Sequence, residues 1–411
     1  MSLAALSPPQ ERRLLLLLAA LQFTHLLDYM ILMPLGAELM QAFGLSTVQF
    51  GLLIGIYTLA SAVVGLLGSA WLDRGDRRRT LLRLYAVFIV ATLGCALAPN
   101  HALLLLARGL AGACAGLMTA TVMTLIADRI EAPRRGAAIG TVMTAFGASA
   151  VAGVPLGLLL AGLAGWRLPF LFVATLATGV WLLLWKHLPA TPVTAAPSGV
   201  KRPGLADILQ QRSLPLGWLL SFGVVFAGFL IVPYLGAFMS GNLGIGLNGM
   251  ALVYLCGGGA TLFAAPRIGR AADRYGPART LALLMIASIA AHLGFTHLVP
   301  MPLAVVCLTF MAFMVLTSLR AIPAMSLLAG LAPPALRGRY MAINMAVSDT
   351  ASGLGAWVGG LIVSAPAGAA LLNVERLGWL AAAITVFSLG TLAVLVKLRA
   401  RQAVSALATA N

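Results

Sequence analysis

"GRAADRYGPARTL" at residues 269–281 and "SAWLDRGDRRRTL" at 69–81 decide how this 411-residue chain is read. Each sets an Asp-Arg pair and further basic residues between long apolar runs, in a sequence with only 9% charged residues. A shift of 200 positions lays Asp73 on Asp273, Arg74 on Arg274, Arg79 on Arg279 and Thr80 on Thr280, and "LGA" at 35–37 on "LGA" at 235–237. A shift of 202 lays "GVPLG" at 153–157 on "GAWVG" at 355–359 and Gly136 on Gly338. The chain is therefore expected to be an internal duplication.

Composition sets the solvent of the fold. With 61% hydrophobic residues and a mean hydropathy of +0.98, the chain carries more apolar surface than a water-soluble interior can hide. Apolar windows of roughly 20 residues, the length that crosses a ~30 Å hydrocarbon core as helix, recur throughout. They fall at 14–38, 48–72, 80–98, 102–127, 137–162, 168–188, 214–239, 248–271, 280–299, 302–330, 340–364 and 377–398, hereafter spans 1 to 12. The predicted fold class is an all-α membrane protein of 12 transmembrane helices in two pseudo-symmetric six-helix bundles.

A net charge of +16 would suggest nucleic acid in a soluble chain. Here the cations lie between spans, at Arg12 and Arg13, Arg74 to Arg79, Arg129 to Arg135, Lys201 to Arg212, Arg270 to Arg279, Arg337 and Arg339, and Lys397 to Arg401. The alternate loops hold little beyond Arg167 and Arg376. That asymmetry is the positive-inside pattern, so both termini are expected to be cytoplasmic in a multi-pass protein of the cell inner (plasma) membrane, and no nucleic-acid partner is needed. Span 1 is long enough to cross and is not followed by a small-residue cleavage site, so it reads as an uncleaved anchor. The stretch "PATPVTAAPSGVKRPGLADILQQR" at 189–212 reads as a cytoplasmic linker. It divides the chain into a bundle at 1–188 and a bundle at 213–411, an arrangement that places a substrate site between two parallel repeats. Cys95, Cys114, Cys256 and Cys307 lie within spans at no metal-ligand spacing and read as packing residues; no metal and no cofactor are expected.

Over essentially its full length the chain resembles the major facilitator superfamily. The family's signature between spans 2 and 3, roughly G-x-x-x-D-R-x-G-R-R, is met here by Ser69, Asp73, Arg74, Asp76, Arg77 and Arg78, with Ser69 and Asp76 replacing two glycines. The second copy keeps Gly269, Asp273, Arg274 and Gly276. Physically, a carboxylate at such a corner can dock on the positive N-terminus of a neighbouring helix. Asp73 is expected to meet span 11 and Asp273 span 5, closing the cytoplasmic side as a conformational latch, while Arg77 pairs with Asp128 and small residues at 69 and 269 allow close approach. "GASAVAGVPLGLLLAG" in span 5, "LLLARGLAGACAG" in span 4 and "GWRLPF" after span 5 are similar to the drug and sugar efflux (proton antiporter) branch. Gly153, Pro155 and Gly157 would pack span 5 tightly and bend it.

Ionisable groups within the bilayer are costly and are functional candidates by default. Asp28 with His25, Arg108, His292, Arg320 and Asp349 are those within the spans. At 1.5 Å per residue, Asp28 stands ~22 Å above Arg13 and Arg108 ~9 Å below the outer end of span 4, nearly the same depth in a ~30 Å core. An Asp28–Arg108 pair is expected. Asp349, ~14 Å in from the inner end of span 11, lies near the depth of Arg320. All four are assigned to proton coupling. Gln22, His25 and Asp28 recur every three residues on one helical face, near Tyr29 and Met33, and that face is expected to line the central cavity with Tyr57, Asn344 and Ser348. Glu38 is expected to be solvated at the outer surface.

An enzyme is not expected, since the chain holds no H-E-x-x-H, G-x-S-x-G or P-loop. The expected function is secondary active transport by alternating access, as proton-coupled export of a small organic compound, drug-like or sugar-like, by a monomer in the lipid bilayer. The alternative is an importer or uniporter of a small metabolite in the same fold.

Overall fold

The computed structural model describes residues 8–72, 76–131, 134–189, 208–211, 213–365 and 370–410. Span 1 is α1 (Pro8–Ile31), followed by the short α2 (Gly36–Phe43). Spans 2, 3 and 4 are α3 (Thr47–Leu72), α4 (Arg77–Leu97) and α5 (His101–Arg129). Span 5 is α6 (Arg135–Ala148) and α7 (Val154–Ala164), joined by a π-turn at Ser149–Gly153, and span 6 is α8 (Arg167–His187). Span 7 is α9 (Ser213–Phe229), a 3-10 turn at Val232–Tyr234 and α10 (Leu235–Gly241). Spans 8 and 9 are α11 (Leu247–Tyr275) and α12 (Pro277–Thr296). Span 10 is α13 (Leu303–Ser318) with α14 (Ala321–Ala329), and spans 11 and 12 are α15 (Pro334–Ile362) and α16 (Val374–Ala410).

Eleven of these segments are long and apolar enough to cross a membrane. Span 11 is the exception: it is a 29-residue helix, but Gly, Ser and Ala dilute its apolar content and it carries Asp349. The reason lies in its packing. One side of it packs along span 2, with the composition of a close helix contact, while Met345, Trp357 and Leu361 are exposed on the other.

The breaks in the helices follow proline chemistry and repeat across the duplication. Spans 1 and 7 both stop at a proline, Pro34 and Pro233, which lacks the N–H the next turn needs and disfavours helix before it. Both resume as a short helix, α2 and α10, and these two pack on each other, with the Gly236 backbone against Pro34. In span 5 the ring of Pro155 would strike the carbonyl four residues back, and the π-turn widens the helix just there.

Four buried apolar clusters show where the two sets of six helices meet. One cluster joins both sets, running from Leu27, Leu32 and Phe170 to Tyr234, Phe238, Phe310 and Leu377 at the face away from the termini. The others stay within one set: Leu14 to Leu188 in the first, and two smaller groups in the second, around Leu281 and around Tyr340. The helices are thus fused at the face away from the termini, the distal face, and part at the basic face that bears Arg77, His187 and Arg399. Open space surrounds Gly136, Gly140, Gly269 and Gly338 at the basic ends of spans 5, 8 and 11.

Candidate functional site

The distal closure is built from backbone. A Cβ on Gly55 would lie 2.7 Å from the Gly353 carbonyl oxygen, and one on Gly353 would meet Gly55 O at 2.9 Å. One turn towards the distal face Gly51 meets Ala356, and Gly360 meets Thr47. The Thr47 hydroxyl donates to the Gly360 and Val363 carbonyls at 2.9 and 2.7 Å, and the Tyr234 hydroxyl donates to Ala356 O at 2.5 Å. The two Thr47 bonds cross the seam between the bundles. Span 5 closes on span 8 in the same way, with Gly258 against Val151 of the π-turn at 2.9 Å.

A polar cluster sits at the depth where this seam ends and the helices begin to part. Arg108 Nη1 donates to Asp28 Oδ2 at 2.7 Å and to the Asp28 carbonyl at 3.1 Å, as the depth argument anticipated, and neither side chain has any exposed surface. Asp28 Oδ1 and Arg108 Nε and Nη2 find no hydrogen-bond partner among the described residues. The guanidinium lies over the Tyr57 ring, 4.5 Å from its centroid, and Tyr57 stacks on Tyr29 at 5.1 Å. Tyr29 in turn stacks on Phe229 of span 7 at 6.4 Å, so a chain of π contacts leads from the ion pair to the second set of helices.

Asp349 does not pair with Arg320, and here the expectation is corrected. Its Oδ2 accepts from the Ser61 hydroxyl of span 2 at 2.7 Å, across the seam, because the glycine contact of spans 2 and 11 presents it to the other half. Arg320 is buried at the break between α13 and α14. It donates to Thr317 O at 3.1 Å, Ser288 Oγ at 3.1 Å and Val224 O at 3.3 Å, with no carboxylate among its described partners. One of these acceptors, the Thr317 carbonyl, belongs to the C-terminal turn of α13, the negative end of a helix. His292 stands beside it through Thr317 Oγ1 at 3.2 Å.

The cavity-lining set is largely displaced. Gln22, His25 and Asp28 share a face as the spacing requires, but all are buried, and that face packs on spans 2 and 4 inside the first bundle. His25 Nε2 bonds Gln22 Oε1 at 2.7 Å, and Tyr57 donates to the His25 carbonyl at 3.2 Å. Met33 belongs to the joint distal cluster. Asn344 is buried against Met325 of span 10, at 3.9 Å from its sulfur, and Ser348 meets Ser221 at 3.1 Å. Of that set, Tyr29 and Ser348 keep partial exposure, and Tyr29 looks towards the second half through Phe229. The cause is the cost of an unpaired polar group away from water: these side chains turn inward to partners, while Phe23, Leu26 and Met30 on the same helix are only partly buried.

At the basic face the outcomes differ between the two copies of the signature. Arg77 Nε meets Asp128 Oδ2 at 2.9 Å, as expected. Asp76, which replaces a family glycine, caps span 3 by accepting from the Arg78 backbone N–H at 3.0 Å. Gly276 takes φ +88°, a left-handed conformation suited to glycine, and Pro277 opens span 9. Asp73 and Arg74 lie outside the described residues. Asp273 is exposed, without a hydrogen bond or ion pair among the described residues, and Arg274 lies over the Tyr275 ring at 5.3 Å. Neither Asp273 nor Gly269 touches span 5, because this conformation is open at that face. Gly153 and Gly157 do pack tightly, on Leu27 and Ile31 of span 1. Glu38 is half-buried rather than solvated, and burial pushes its carboxyl above the ordinary glutamate range.

Sequence reasoning missed the seam. Its signal was present on span 2 as the G-x-x-x-G pair Gly51 and Gly55, the spacing that brings helices to backbone contact in membranes; the facing glycines of span 11, Gly353 and Gly360, stand seven apart, while Gly355 and Gly359 pack on span 7. It missed Ser61 as the partner of Asp349, for which no local signal exists.

Comparison with known proteins agrees with this architecture. The family described as Major Facilitator Superfamily matches residues 18–356 and 217–408. An uncharacterised MFS-type transporter of Bacillus subtilis (strain 168), YfhI, is 24% identical over 325 residues, 76% of this chain and 78% of that protein. Among solved structures, a bacterial homologue of the human lysosomal transporter Spinster, inward-facing and occupied, superposes with a TM-score of 0.79 at 18% identity, covering 95% of this chain and 98% of the other. The nucleoside transporter NupG does so with a TM-score of 0.71 at 14% identity, over 94% and 99%. At these identities the two structures speak for the fold.

Proposed function

This chain belongs to the Major Facilitator Superfamily, and from that premise we propose that it is a proton-coupled secondary transporter that exports a small organic compound by alternating access. The observation that carries the reading is the Asp28–Arg108 pair: a carboxylate and a guanidinium 2.7 Å apart, without exposed surface, at the depth where the sealed seam ends. A buried carboxylate prefers its neutral form, and an adjacent guanidinium prefers it charged, so loosening the contact in one conformation and tightening it in the other takes up a proton on one side and releases it on the other. Tyr57 and Tyr29 connect that contact to Phe229 of the second bundle. Asp349, bonded to Ser61 across the seam, is the second carboxylate in the same region and takes the proton if Asp28 does not.

Rocking of residues 1–188 against 213–411 exposes the site alternately, and the structure has the shape of the state open at the basic face. That face is cytoplasmic by its charge, which sets both termini and the 189–212 linker inside the inner membrane. Asp73 and Asp273 latch the basic face in the opposite state, by docking on helix N-termini of the other bundle. The resemblance of span 5 to the efflux branch supports outward transport by a monomer. The few charged groups at the boundary of the parted helices, with Phe23, Leu26, Tyr29 and Met30 along span 1, favour neutral or amphiphilic substrates.

Purified protein in vesicles, with an imposed pH gradient and a panel of compounds, tests the reading. Accumulation should follow the gradient for some compound, and Asp28→Asn should abolish that accumulation while counterflow continues. Full gradient-driven accumulation by both Asp28→Asn and Asp349→Asn would overturn proton coupling through these groups.

A further inference from the structure

We infer that the membrane-facing side of span 6 is a binding site for one anionic phospholipid, its headgroup held at the basic face and one acyl chain laid along the helix. Phe172, Thr175, Leu176, Gly179, Val180 and Leu183 line a groove of about 420 Å³ on that side. They recur at three and four residues, so they form a single stripe along the helix. Gly179 makes the depression: a Cβ there would meet nothing within 4 Å. Thr175 is the one hydroxyl in the stripe, and it is turned back on the Leu171 carbonyl at 2.8 Å, leaving the groove apolar.

The length of the groove selects its occupant. From Phe172 to Leu183 is eleven residues, ~16 Å of helix, about half of a ~30 Å hydrocarbon core. That is the reach of one leaflet, and so of one acyl chain. The groove is flanked by exposed Leu171, Leu182 and Trp185, a surface suited to lipid. One turn beyond Leu183 the helix ends in Trp185, Lys186 and His187, and two arginines from other spans are anchored there. Arg78 of span 3 donates to the Trp185 carbonyl, and Arg13 of span 1 bonds His187 Nε2 at 2.8 Å.

Arg13, Arg78 and Lys186 therefore gather three cations at the mouth of an apolar groove. The acids nearby are engaged elsewhere: Glu11 with Arg134 at 2.7 Å, Asp128 with Arg77 at 2.9 Å, and Asp76 with the Arg78 backbone and, at 3.8 Å, with Arg79. None of the three cations is ion-paired among the described residues, and Arg78 Nε is buried without a hydrogen-bond partner. Their charge calls for an anion, and the groove above them calls for a hydrocarbon tail. A phosphate-bearing lipid with net negative charge supplies both, whereas a zwitterionic lipid adds its own cation to the cluster.

The test uses the full chain in nanodiscs of equal phosphatidylcholine and phosphatidylglycerol, released into native mass spectrometry. One phosphatidylglycerol should remain bound in preference to phosphatidylcholine. Arg13→Ala combined with Lys186→Ala should lower its retention roughly thirtyfold by removing two cations near the surface. Gly179→Leu should lower it to a similar degree by filling the groove, and Gly179→Ala, one methyl larger than wild type, repeats that arm if leucine prevents folding. Equal retention of the two lipids would overturn the site. So would loss in only the headgroup variant or only the groove variant, since one ligand must span both. A crosslink between Gly179→Cys positions of two copies would give the groove to a second chain instead.

Discussion

Two arginines are fully buried among the described residues, Arg108 and Arg320, and they are neutralised in different ways. Arg108 of span 4 faces a carboxylate, Asp28, at 2.7 Å. Arg320 of span 10 faces only neutral oxygens, those of Thr317, Ser288 and Val224, at the broken end of a helix. The difference matters because a carboxylate can take a proton and a helix end cannot. The first centre can change its charge during a transport cycle, while the second holds a fixed charge that pins α13 to α14. The duplication did not copy the chemistry: residue 310, the position two hundred and two beyond Arg108, is Phe310 in an aromatic cluster with Phe295 and Phe313.

The largest expected effect tests that asymmetry directly. For one proton per cycle, a gradient of one pH unit supports at most about tenfold accumulation of substrate, because each pH unit is worth one factor of ten. Asp28→Asn should bring that ratio to about one, whereas Arg320→Met should leave it near the wild-type ratio once folding is matched. An Arg320→Met protein that loses gradient coupling while still performing counterflow would break the comparison. Flux measured in vesicles decides.

Stability should separate the same two sites in the next rank. Arg108→Met leaves a buried carboxylate without its cation, a change that costs about 3–5 kcal/mol when the survivor stays charged. Arg320→Met removes hydrogen bonds to a helix end and should cost about 1–2 kcal/mol. Thermal unfolding in detergent should therefore rank Arg108→Met below Arg320→Met. The reverse order would mean that the helix end is the stronger counter-ion.

A smaller effect sharpens the role of the seam between them. Ser61→Ala removes one hydrogen bond to a carboxylate across the two bundles, about 1.5–3 kcal/mol in its strongest setting. The population should shift away from the distally sealed state, read as increased labelling of cysteines at the distal face, with no change in the Asp28–Arg108 contact. The smallest effect concerns Glu38, outside the crossing segments. Burial raises its pKa in the folded state, so the folded protein is penalised as pH rises through and above the ordinary glutamate range of about 4. Glu38→Gln should raise the melting temperature slightly at neutral pH and leave it unchanged well below pH 4.

Much of this architecture is legible in the amino-acid sequence. Hydropathy gives the crossings, charge the asymmetry of the two faces, and helical rise the Asp28–Arg108 contact, because two groups at one depth in neighbouring helices need only the right rotation. Depth fails for Asp349 for the same reason. It shares a depth with both Arg320 and Ser61, and the glycine seam that turns span 11 towards span 2 chooses between them. The buried Gln22, His25 and Asn344 are misplaced because periodicity identifies a common face without saying whether that face meets a cavity or a neighbour. The proposed latch of Asp273 is not formed in this structure, whose basic face is open, and no single sequence specifies which member of a pair of states will be populated.

The π-turn in span 5 gives the molecule a property of phase. It holds one residue more than an α-helical turn would, and each residue advances an α-helix by about 100°. Winding Ser149–Gly153 back to α spacing would therefore swing the basic half of the span, Arg135–Ala148, through roughly that angle while α7 stays clamped on Leu27 and Ile31 through Gly153 and Gly157. Thr144 and Phe146, both exposed here, would turn to a different side of the span without any hinge opening. One surplus peptide, beside Pro155, thus fixes the rotational phase of the basic half of span 5 relative to its distal half.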